Sequence, residues 1–354
     1  MNAMAGDPAD SSAGSARGRD AATEVTVAVT GPTGAIGKSV IRALERDDRV
    51  GRILGMARRP FEPAFLGWRK TKYRRGDVLD RGAVEDLVAG ADVVVHLAYA
   101  IVGSRRGSGQ INLTGSRNVF EAAVRAGRPN RLVYTSSVAA YGYHGDNPVP
   151  LTEDVPARGS PEHYYSAHKA ASEALLAEVT NGSATQVYVL RPCIVAGPDA
   201  IELLANLQLG PTSPWLPEPA RQLLSRVPGL RSVMIDPGVP IQLVHHDDVG
   251  AAVHAATLGA GPPGTYNLAA ADTVTMTDLA RAVGSAVVPV PHALTVATSV
   301  LLAMLPWLPA EAEWVHAARY PVLMDTTRAR RVLGWNPSYT ARETLTAMAD
   351  ALSG

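Results

Sequence analysis

Short runs of apolar and β-branched residues alternate with amphipathic stretches through most of the chain. Neighbouring parallel strands need a long crossover connection, usually a helix, so this alternation predicts a parallel sheet with helices on both faces. Predicted strands cover 24–29, 52–56, 93–97, 131–135, 186–190 and 241–244, with another ending before Gly76, and predicted helices cover 38–45, 83–89, 115–126, 166–179 and 249–257. The fold class is therefore α/β, a Rossmann-like doubly wound parallel sheet.

The pattern changes after Arg191, where prolines divide the chain into short pieces with scattered Leu and Trp. We interpret this segment as a lid, and beyond Gly259 the chain is expected to leave the sheet again. We predict a Rossmann dinucleotide-binding domain from 24–192 plus about 240–258, and a smaller, interleaved C-terminal substrate-binding lid from 193–239 plus about 259–354. Residues 1–23 lack the apolar segment of a signal peptide and are predicted to be a disordered leader.

The charge composition favours a small-molecule partner. The 33 basic residues balance the 33 acidic ones, and no basic run predicts binding to nucleic acid or to an anionic membrane. Cys193 is the single cysteine, and nothing requires an oxidising compartment, so the expected location is cytoplasmic. The apolar stretch 293–305 is shorter than the roughly 18–20 residues of a spanning helix. We interpret it as a buried or lid helix, with weak attachment to a membrane surface as the alternative.

A glycine-rich turn follows the first predicted strand and opens the first helix. Gly31, Gly34 and Gly37 would allow a tight turn and the close approach of a phosphate, which the amides at a helix N-terminus attract. Thr33 and Ile36 belong to the same predicted cofactor site. The alternative is an ordinary tight turn.

Two arginines, Arg58 and Arg59, follow the second strand. NAD enzymes often place an acidic residue here to hold the ribose 2′-hydroxyl, whereas a guanidinium fork suits a 2′-phosphate. We therefore predict NADP(H) as the preferred cofactor, with NAD(H) as the alternative. The structural alternative is a solvated basic turn.

Other residues at predicted strand ends belong to the same edge of the sheet. Asp77 is expected to accept a hydrogen bond from the adenine amino group, or else to lie in a surface turn. Leu97 and Ala98 would line the cofactor, whereas His96 is interpreted as a packed strand residue. Asn112 is expected to fix the local helix and relay a water, with pure structural capping as the alternative.

The candidate proton chemistry lies on one helix. Tyr165 and Lys169 are four residues apart and therefore share a face, so the phenol and the ammonium can both reach a cofactor lying across them, and Lys169 would also hold the cofactor ribose. A tyrosine with a pKa near 10 is a poor base at neutral pH, and an adjacent cation favours its phenolate. The neighbouring Tyr164 has no lysine at the fourth position. Ser136 and Ser137, at the end of a strand, compete for a hydrogen bond to the reacting oxygen, or both simply cap the loop.

Taken in order, these motifs resemble the extended short-chain dehydrogenases/reductases, the NAD-dependent epimerase/dehydratase family. The resemblance covers roughly 25–351 and is carried by Thr30-Gly31-x-x-Gly34-x-x-Gly37, Asp77-Val78, His96-Leu97-Ala98, Asn112-x-x-Gly115, Thr135-Ser136-Ser137, Tyr165-x-x-x-Lys169, Leu190-Arg191-Pro192 and Val244-His245-x-Asp247-Asp248-Val249.

The resemblance assigns roles to single residues. It implies that Ser137 is the catalytic serine, Tyr165 the acid/base and Lys169 its partner, and that Val78 and Pro192 contact the cofactor. It also implies that 245–248 is a strand-to-helix junction of the fold, so no metal site is predicted there. A homodimer through the helices at 115–126 and 166–179 is the expectation from relatives.

Two positions depart from the sugar-nucleotide members, which commonly hold a diphosphate with an Asn and an Arg. The corresponding positions here are Ile194 and Ile241, and apolar side chains cannot neutralise a diphosphate. Five lid residues indicate an apolar pocket, or else the core of the lid: Trp215, Leu216, Leu223, Met234 and Trp307.

We therefore predict an NAD(P)-dependent oxidoreductase that moves a hydride to or from a ketone or secondary alcohol of a small, fairly apolar molecule. It would be similar to the dihydroflavonol-reductase and 3β-hydroxysteroid-dehydrogenase branches. One alternative is a sugar-nucleotide epimerase or dehydratase with tightly held NAD. The other is a non-catalytic NADP-sensing binding protein, against which the retained Ser137, Tyr165 and Lys169 argue.

Overall fold

Strands and helices alternate through the residues that the computed structural model describes, which are 24–100, 105–200, 232–291 and 320–353 together with Pro219, Gln222 and Leu294. The strands are β1 (Val25–Thr30), β2 (Val50–Ala57), β3 (Thr71–Arg75), β4 (Val93–His96), β5 (Arg131–Thr135), β6 (Gln186–Pro192), β7 (Ile194–Ala196), β8 (Val233–Asp236), β9 (Leu243–His245), β10 (Gly264–Leu268) and β11 (Ala286–Pro289). The helices are α1 (Ala35–Glu45), α2 (Arg81–Val88), α3 (Arg105–Gly109), α4 (Ser116–Arg125), α5 (Tyr164–Thr180), α6 (His246–Thr257), α7 (Met276–Ala282), α8 (Thr327–Arg331) and α9 (Ala341–Ser353), and a π-helical turn, Gln110–Gly115, joins α3 to α4.

Seven parallel strands form the central sheet, in the order β3-β2-β1-β4-β5-β6-β10. The strand order reverses between β1 and β4, which is the point where ligands bind in open α/β sheets. The register brings the carboxyl ends together, since Thr30 pairs with both Met56 and His96, and His96 pairs with Tyr134. The predicted Rossmann-like doubly wound fold is confirmed.

Helices cover both faces of this sheet because successive strand side chains point to opposite sides. Val27 and Val29 of β1 pack with Val40 of α1 and Val249 of α6 on one face. Ala28 belongs to the core of the other face, which α2, α4 and α5 supply. Burial on both sides explains why inner strands such as β1 and β4 are nearly continuous apolar runs, unlike the edge strand β3.

The seventh strand corrects the sequence-based assignment. The strand predicted at 241–244 corresponds to β9, which pairs with β7 in a separate two-stranded sheet. The position beside β6 belongs to β10, so the expectation that the chain leaves the sheet beyond Gly259 is wrong. β10 is short and contains a glycine and the polar Asn267, and its burial depends on pairing with a strand about 80 residues away, which a local pattern cannot show. The division into a Rossmann domain and a lid stays a prediction, with β10 added to the sheet.

Several predicted features lie outside the described residues: the leader 1–23, the lid residues Trp215, Leu216, Leu223 and Trp307, and the apolar stretch 293–305 apart from Leu294. Met234 is described and fully buried, in a small apolar core with Leu243 and Leu279. In the described part of the chain, no helix combines the length and apolar character that crossing a membrane requires.

Candidate active site

The glycine turn joins β1 to α1 at the point where the strand order reverses. Gly31 has a φ of +75°, and a Cβ at this position would lie 2.9 Å from the backbone nitrogen of Ala98. A side chain is therefore excluded both by conformation and by the close approach of the chain that follows β4. The turn and the end of β4 form one continuous edge.

Gly34 and Gly37 face different surroundings. A Cβ on Gly37 would overlap the carbonyl oxygen of Gly31 and lie 2.7 Å from the carbonyl carbon of Pro32. Gly34 is exposed, and the nearest atom to a Cβ there is 3.7 Å away. It is the N-cap of α1, without a side-chain cap, and no acidic residue lies in the first turn. Free amides at a helix N-terminus attract anions, so this end of α1 fits a dinucleotide phosphate.

Replacing each of these two glycines by alanine should have a different effect. Gly37→Ala is expected to lower the free energy of unfolding by about 1–3 kcal/mol, because the added methyl group overpacks backbone. Gly34→Ala should leave the cofactor-free melting temperature unchanged and weaken NADP(H) binding, because its methyl group stands where a phosphate would approach the turn. Thermal unfolding without cofactor and a cofactor titration measure both effects, and equal losses of stability would contradict the separate roles.

The two arginines follow β2 on a turn that β3 holds in place. The Tyr73 hydroxyl donates to the carbonyl oxygens of Ala57, at 2.9 Å, and Arg59. Arg75 Nε donates to the Arg58 carbonyl oxygen at 2.9 Å. Arg58 and Arg59 are exposed, and neither forms an ion pair with any described residue. The backbone is thus fixed while both guanidinium groups are available to a ligand.

The other predicted cofactor contacts differ in exposure. Thr33, Ile36, Leu97 and Ala98 are partly exposed along the edge formed by the turn and β4. One oxygen of Asp77 accepts a hydrogen bond from the Leu79 amide at 3.0 Å, as in a surface turn. Val78 is buried in the core, and Pro192 is buried at the end of β6. Their roles toward a cofactor stay predictions.

Tyr165 and Lys169 lie on the first two turns of α5, both buried against the ends of β4 and β5. Burial raises the pKa of Tyr165 to about 12, although a hydrogen bond with Ser137 works in the opposite direction. The phenol is therefore protonated at neutral pH and suited to donate a proton.

The structure separates the two competing serines. The Ser136 hydroxyl donates to Glu173 Oε1 at 2.5 Å. The Ser137 oxygen accepts a hydrogen bond from the Ala139 amide at 3.2 Å and contacts Tyr165. This geometry favours Ser137 for the catalytic role, and it agrees with the opposite orientation of adjacent residues in an extended chain.

Lys169 is held in an aromatic cage. Its Nζ donates to the Thr135 carbonyl oxygen at 2.9 Å and lies 3.4 Å from the ring centroid of Tyr99 and 5.1 Å from that of Tyr134. Burial lowers the pKa of Lys169 to about 7, and the charge of Glu173 opposes that decrease. Whether Lys169 carries a positive charge near neutral pH therefore depends on the balance between its burial and the charge of Glu173.

Asn112 and His96 are occupied by structural contacts. Asn112 lies in the π-helical turn, where its side-chain amide accepts from the Ala100 nitrogen at 2.8 Å and donates to the Ala100 oxygen at 3.0 Å. His96 bonds Thr30 Oγ1 at 2.7 Å and Ser116 Oγ at 3.0 Å, and burial lowers its pKa to about 3. His96 is a neutral packing residue, and a water relay through Asn112 stays a prediction.

His245, His246 and Asp247 bring their potential metal-ligand atoms within 4.8 Å of one another. His245 Nδ1 accepts the Asp247 amide, His246 Nδ1 bonds Ser39 Oγ at 2.8 Å, and Arg42 pairs with Asp247 at 2.8 Å. These contacts cap α6 and tie it to α1, as expected for a strand-to-helix junction. The lack of a metal here stays a prediction.

The sequence assigned no role to several residues at this site. The Thr135 hydroxyl is buried at the end of β5, with no hydrogen-bond partner among the described residues, so it fits a ligand bound at this edge. Tyr99 covers Lys169, and Glu173 and Arg191 lie behind Ser136. Glu173 follows Lys169 by one helical turn, a spacing that was readable from the sequence.

Comparisons with known proteins identify the family and the fold. The profile of the NAD dependent epimerase/dehydratase family matches residues 27–269. Ceramide reductase from Caulobacter vibrioides is 31% identical over 194 residues, 54% of this chain and 53% of that protein. Human 3 beta-hydroxysteroid dehydrogenase type 7 is 32% identical over 197 residues, 50% of this chain and 52% of that protein. A short-chain dehydrogenase/reductase superfamily protein from Agrobacterium tumefaciens, solved with bound NAD, has a TM-score of 0.67 and 21% identity, covering 93% of this chain and 97% of that one.

Proposed function

Because this chain belongs to the NAD-dependent epimerase/dehydratase family, we propose that it is an NADP(H)-dependent reductase or dehydrogenase of a small, fairly apolar ketone or secondary alcohol. Membership of that family confirms the resemblance and makes the protein an enzyme. The observation that carries the proposal is the buried contact between Ser137 and Tyr165, with Lys169 one turn along the same helix.

The three side chains account for the proton half of the reaction. A bound nicotinamide would supply a hydride to the carbonyl carbon, or accept one from the alcohol. In reduction, the neutral Tyr165 donates its proton to the carbonyl oxygen and Ser137 donates a hydrogen bond to that oxygen. The ammonium group of Lys169 then stabilises the phenolate that remains.

The glycine turn, the N-terminus of α1 and the two arginines would hold the dinucleotide. Arg58 and Arg59 support NADP(H), because their side chains are exposed at the end of β2 and a 2′-phosphate pairs well with guanidinium groups. The Thr135 hydroxyl, buried at the end of β5, is available to the cofactor or the substrate.

Two observations support an apolar substrate. Ile194 and Ile241, where the sugar-nucleotide members have polar groups, pack against the apolar core that contains Leu243 and Met234. Two of the relatives described above are named a ceramide reductase and a hydroxysteroid dehydrogenase, and ceramides and steroids are both apolar molecules.

A turnover assay tests the function directly. Melting-temperature shifts would first select ligands among NAD(H), NADP(H), nucleotide sugars and apolar ketones, since binding to the native state raises the melting temperature. With a selected ketone, we expect NADPH to be consumed in equal amount to the alcohol formed. Epimerisation of a nucleotide sugar without net consumption of NADPH would instead favour the epimerase, and binding without any turnover would favour the sensor.

The proposal includes a homodimer formed through α4 and α5. Ala171, Ala174 and Ala177 are exposed along α5, and such small side chains permit close packing of a second helix. Light scattering during gel filtration measures the mass in solution, and a monomer at micromolar concentration would contradict this arrangement.

A further inference from the structure

A buried ion pair lies directly behind the catalytic strand end. Glu173 of α5 and Arg191 of β6 expose only 11% and 6% of their side chains. Arg191 Nε donates to Glu173 Oε1 at 2.9 Å, and its second guanidinium nitrogen donates to Glu173 Oε2 at 2.5 Å. Such a two-pronged contact fixes direction as well as distance.

The same carboxylate reaches the strand that carries Ser137. Ser136 Oγ donates to Glu173 Oε1 at 2.5 Å, and the Ser136 amide donates to the Leu190 carbonyl oxygen at 2.7 Å. Ser136 is therefore held from two sides, by α5 and by β6. With Ser136 turned toward Glu173, the next residue, Ser137, is directed to Tyr165.

Arg191 is itself anchored on the far side. Its guanidinium carbon lies 4.4 Å from the ring centroid of Tyr141, and the Tyr141 hydroxyl donates to Asn267 Oδ1 at 2.7 Å. Burial opposes the charge of Arg191, but hydrogen bonding and the charge of Glu173 outweigh burial and raise its pKa. These side-chain contacts therefore link Asn267 on the edge strand β10 to Glu173 on the catalytic helix α5.

We propose that Glu173 is a positioning residue that locks α5 to the ends of β5 and β6 and so holds Ser137 and Lys169 in place around Tyr165. This inference rests on the proposed function. Glu173 touches neither substrate nor cofactor in this role, and acts through Ser136 and Lys169.

Glu173 also supplies the negative charge that counters the burial of Lys169. The titratable groups that face Lys169 from the packed elements are His96 and Tyr99 at β4, Tyr134 of β5, and Tyr165 and Glu173 of α5. Burial keeps His96 neutral and raises the pKa values of Tyr99 and Tyr134. The protonated state of Lys169 near neutral pH therefore depends on Glu173.

Direct titration of Lys169 tests this electrostatic role without turnover. The sequence contains four lysines, Lys38, Lys70, Lys72 and Lys169, so carbon-13 NMR of labelled lysine side chains gives a small set of signals that Lys169→Arg assigns. We expect Lys169 to titrate near pH 7 in the wild type and at lower pH in Glu173→Gln. Glu173→Asp keeps the charge and should stay closer to the wild type. Identical titrations in wild type and Glu173→Gln would overturn the electrostatic part.

Kinetics test the positioning role. In the reductive direction Lys169 and Tyr165 must both be protonated, so kcat/KM falls as the pH rises through the pKa of Lys169, and Glu173→Gln should move this decline to lower pH. Ser136→Ala breaks one link and keeps the charge, so the pH of the decline should not move. Its kcat should fall roughly ten-fold to a hundred-fold through the misplacement of Ser137.

Failure of the positioning role can be distinguished from failure of the proposed function. If Glu173→Gln does not fold, Arg191→Lys removes the two-pronged contact while keeping both charges, and wild-type kcat in both Arg191→Lys and Ser136→Ala would overturn the positioning role. If no ketone is reduced by the wild type, the proposed function fails, whereas the NMR comparison still decides whether Glu173 sets the charge of Lys169.

Discussion

Tyr165→Phe is expected to lower kcat for carbonyl reduction by about 10²–10⁴-fold, the usual contribution of a positioned acid or base. The substitution removes the phenolic oxygen and leaves the ring, so the packing of Tyr165 against Tyr99 should persist. Ser137 retains its hydroxyl, but a serine hydroxyl is too weak an acid to replace the tyrosine at neutral pH. The affinity for NADP(H) should change little, because the predicted phosphate contacts lie at the glycine turn and the predicted ribose contact, Lys169, is unchanged.

Tyr164→Phe is the matched control, since Tyr164 is also buried and precedes Tyr165 on the same helix. It should retain most of the activity, because Tyr164 has no lysine one turn along the helix. Steady-state kinetics, a cofactor titration and the melting temperature of each variant measure these effects. A Tyr165→Phe enzyme with wild-type kcat, or the larger loss in Tyr164→Phe, would remove Tyr165 from the mechanism.

The parts of the site that the sequence predicted are local in the chain. Gly31, Gly34 and Gly37 follow one strand, and Tyr165 and Lys169 share one helix, so their arrangement follows from the backbone geometry of a turn and a helix. Adjacent residues of an extended strand point to opposite sides, which was enough to separate Ser136 from Ser137 once one of them had a known partner. The order of the strands then brings both segments to one edge.

The missed parts depend on contacts between distant segments. Arg191 meets Glu173 only after β6 takes its place beside β5, and β10 joins the sheet through pairing with β6. The two residues of the ion pair belong to different elements, so neither helical nor strand periodicity relates them. The cage around Lys169 likewise joins Tyr99 to Tyr134 across two strand ends. Such partners follow from the topology of the sheet, which local patterns constrain only in part.

Replacement of Arg58 and Arg59 by glutamate is expected to weaken NADPH binding by about 10²–10⁴-fold while changing NADH binding only a few-fold. A hydrogen bond to a charged group contributes about 1.5–3 kcal/mol, so the loss of two such contacts to a 2′-phosphate amounts to about 3–6 kcal/mol, and each 1.4 kcal/mol is about ten-fold in affinity. The backbone of the turn should keep its conformation, because Tyr73 and Arg75 bond its carbonyl oxygens and make no use of the two arginine side chains.

A matched control separates this contact from the overall charge of the protein. Arg52 lies near the start of β2 and Arg69 just before the start of β3, at the opposite end of these paired strands, and both are exposed and form no ion pair with any described residue. Arg52→Glu with Arg69→Glu changes the net charge by the same amount and should leave both affinities near wild type. Titrations at two salt concentrations distinguish a direct pair from long-range attraction, since only long-range attraction between exposed charges is largely screened. Equal losses of NADPH and NADH affinity in the Arg58 and Arg59 variant would mean that the two arginines do not read the 2′-phosphate, and would remove the reason for expecting NADP(H).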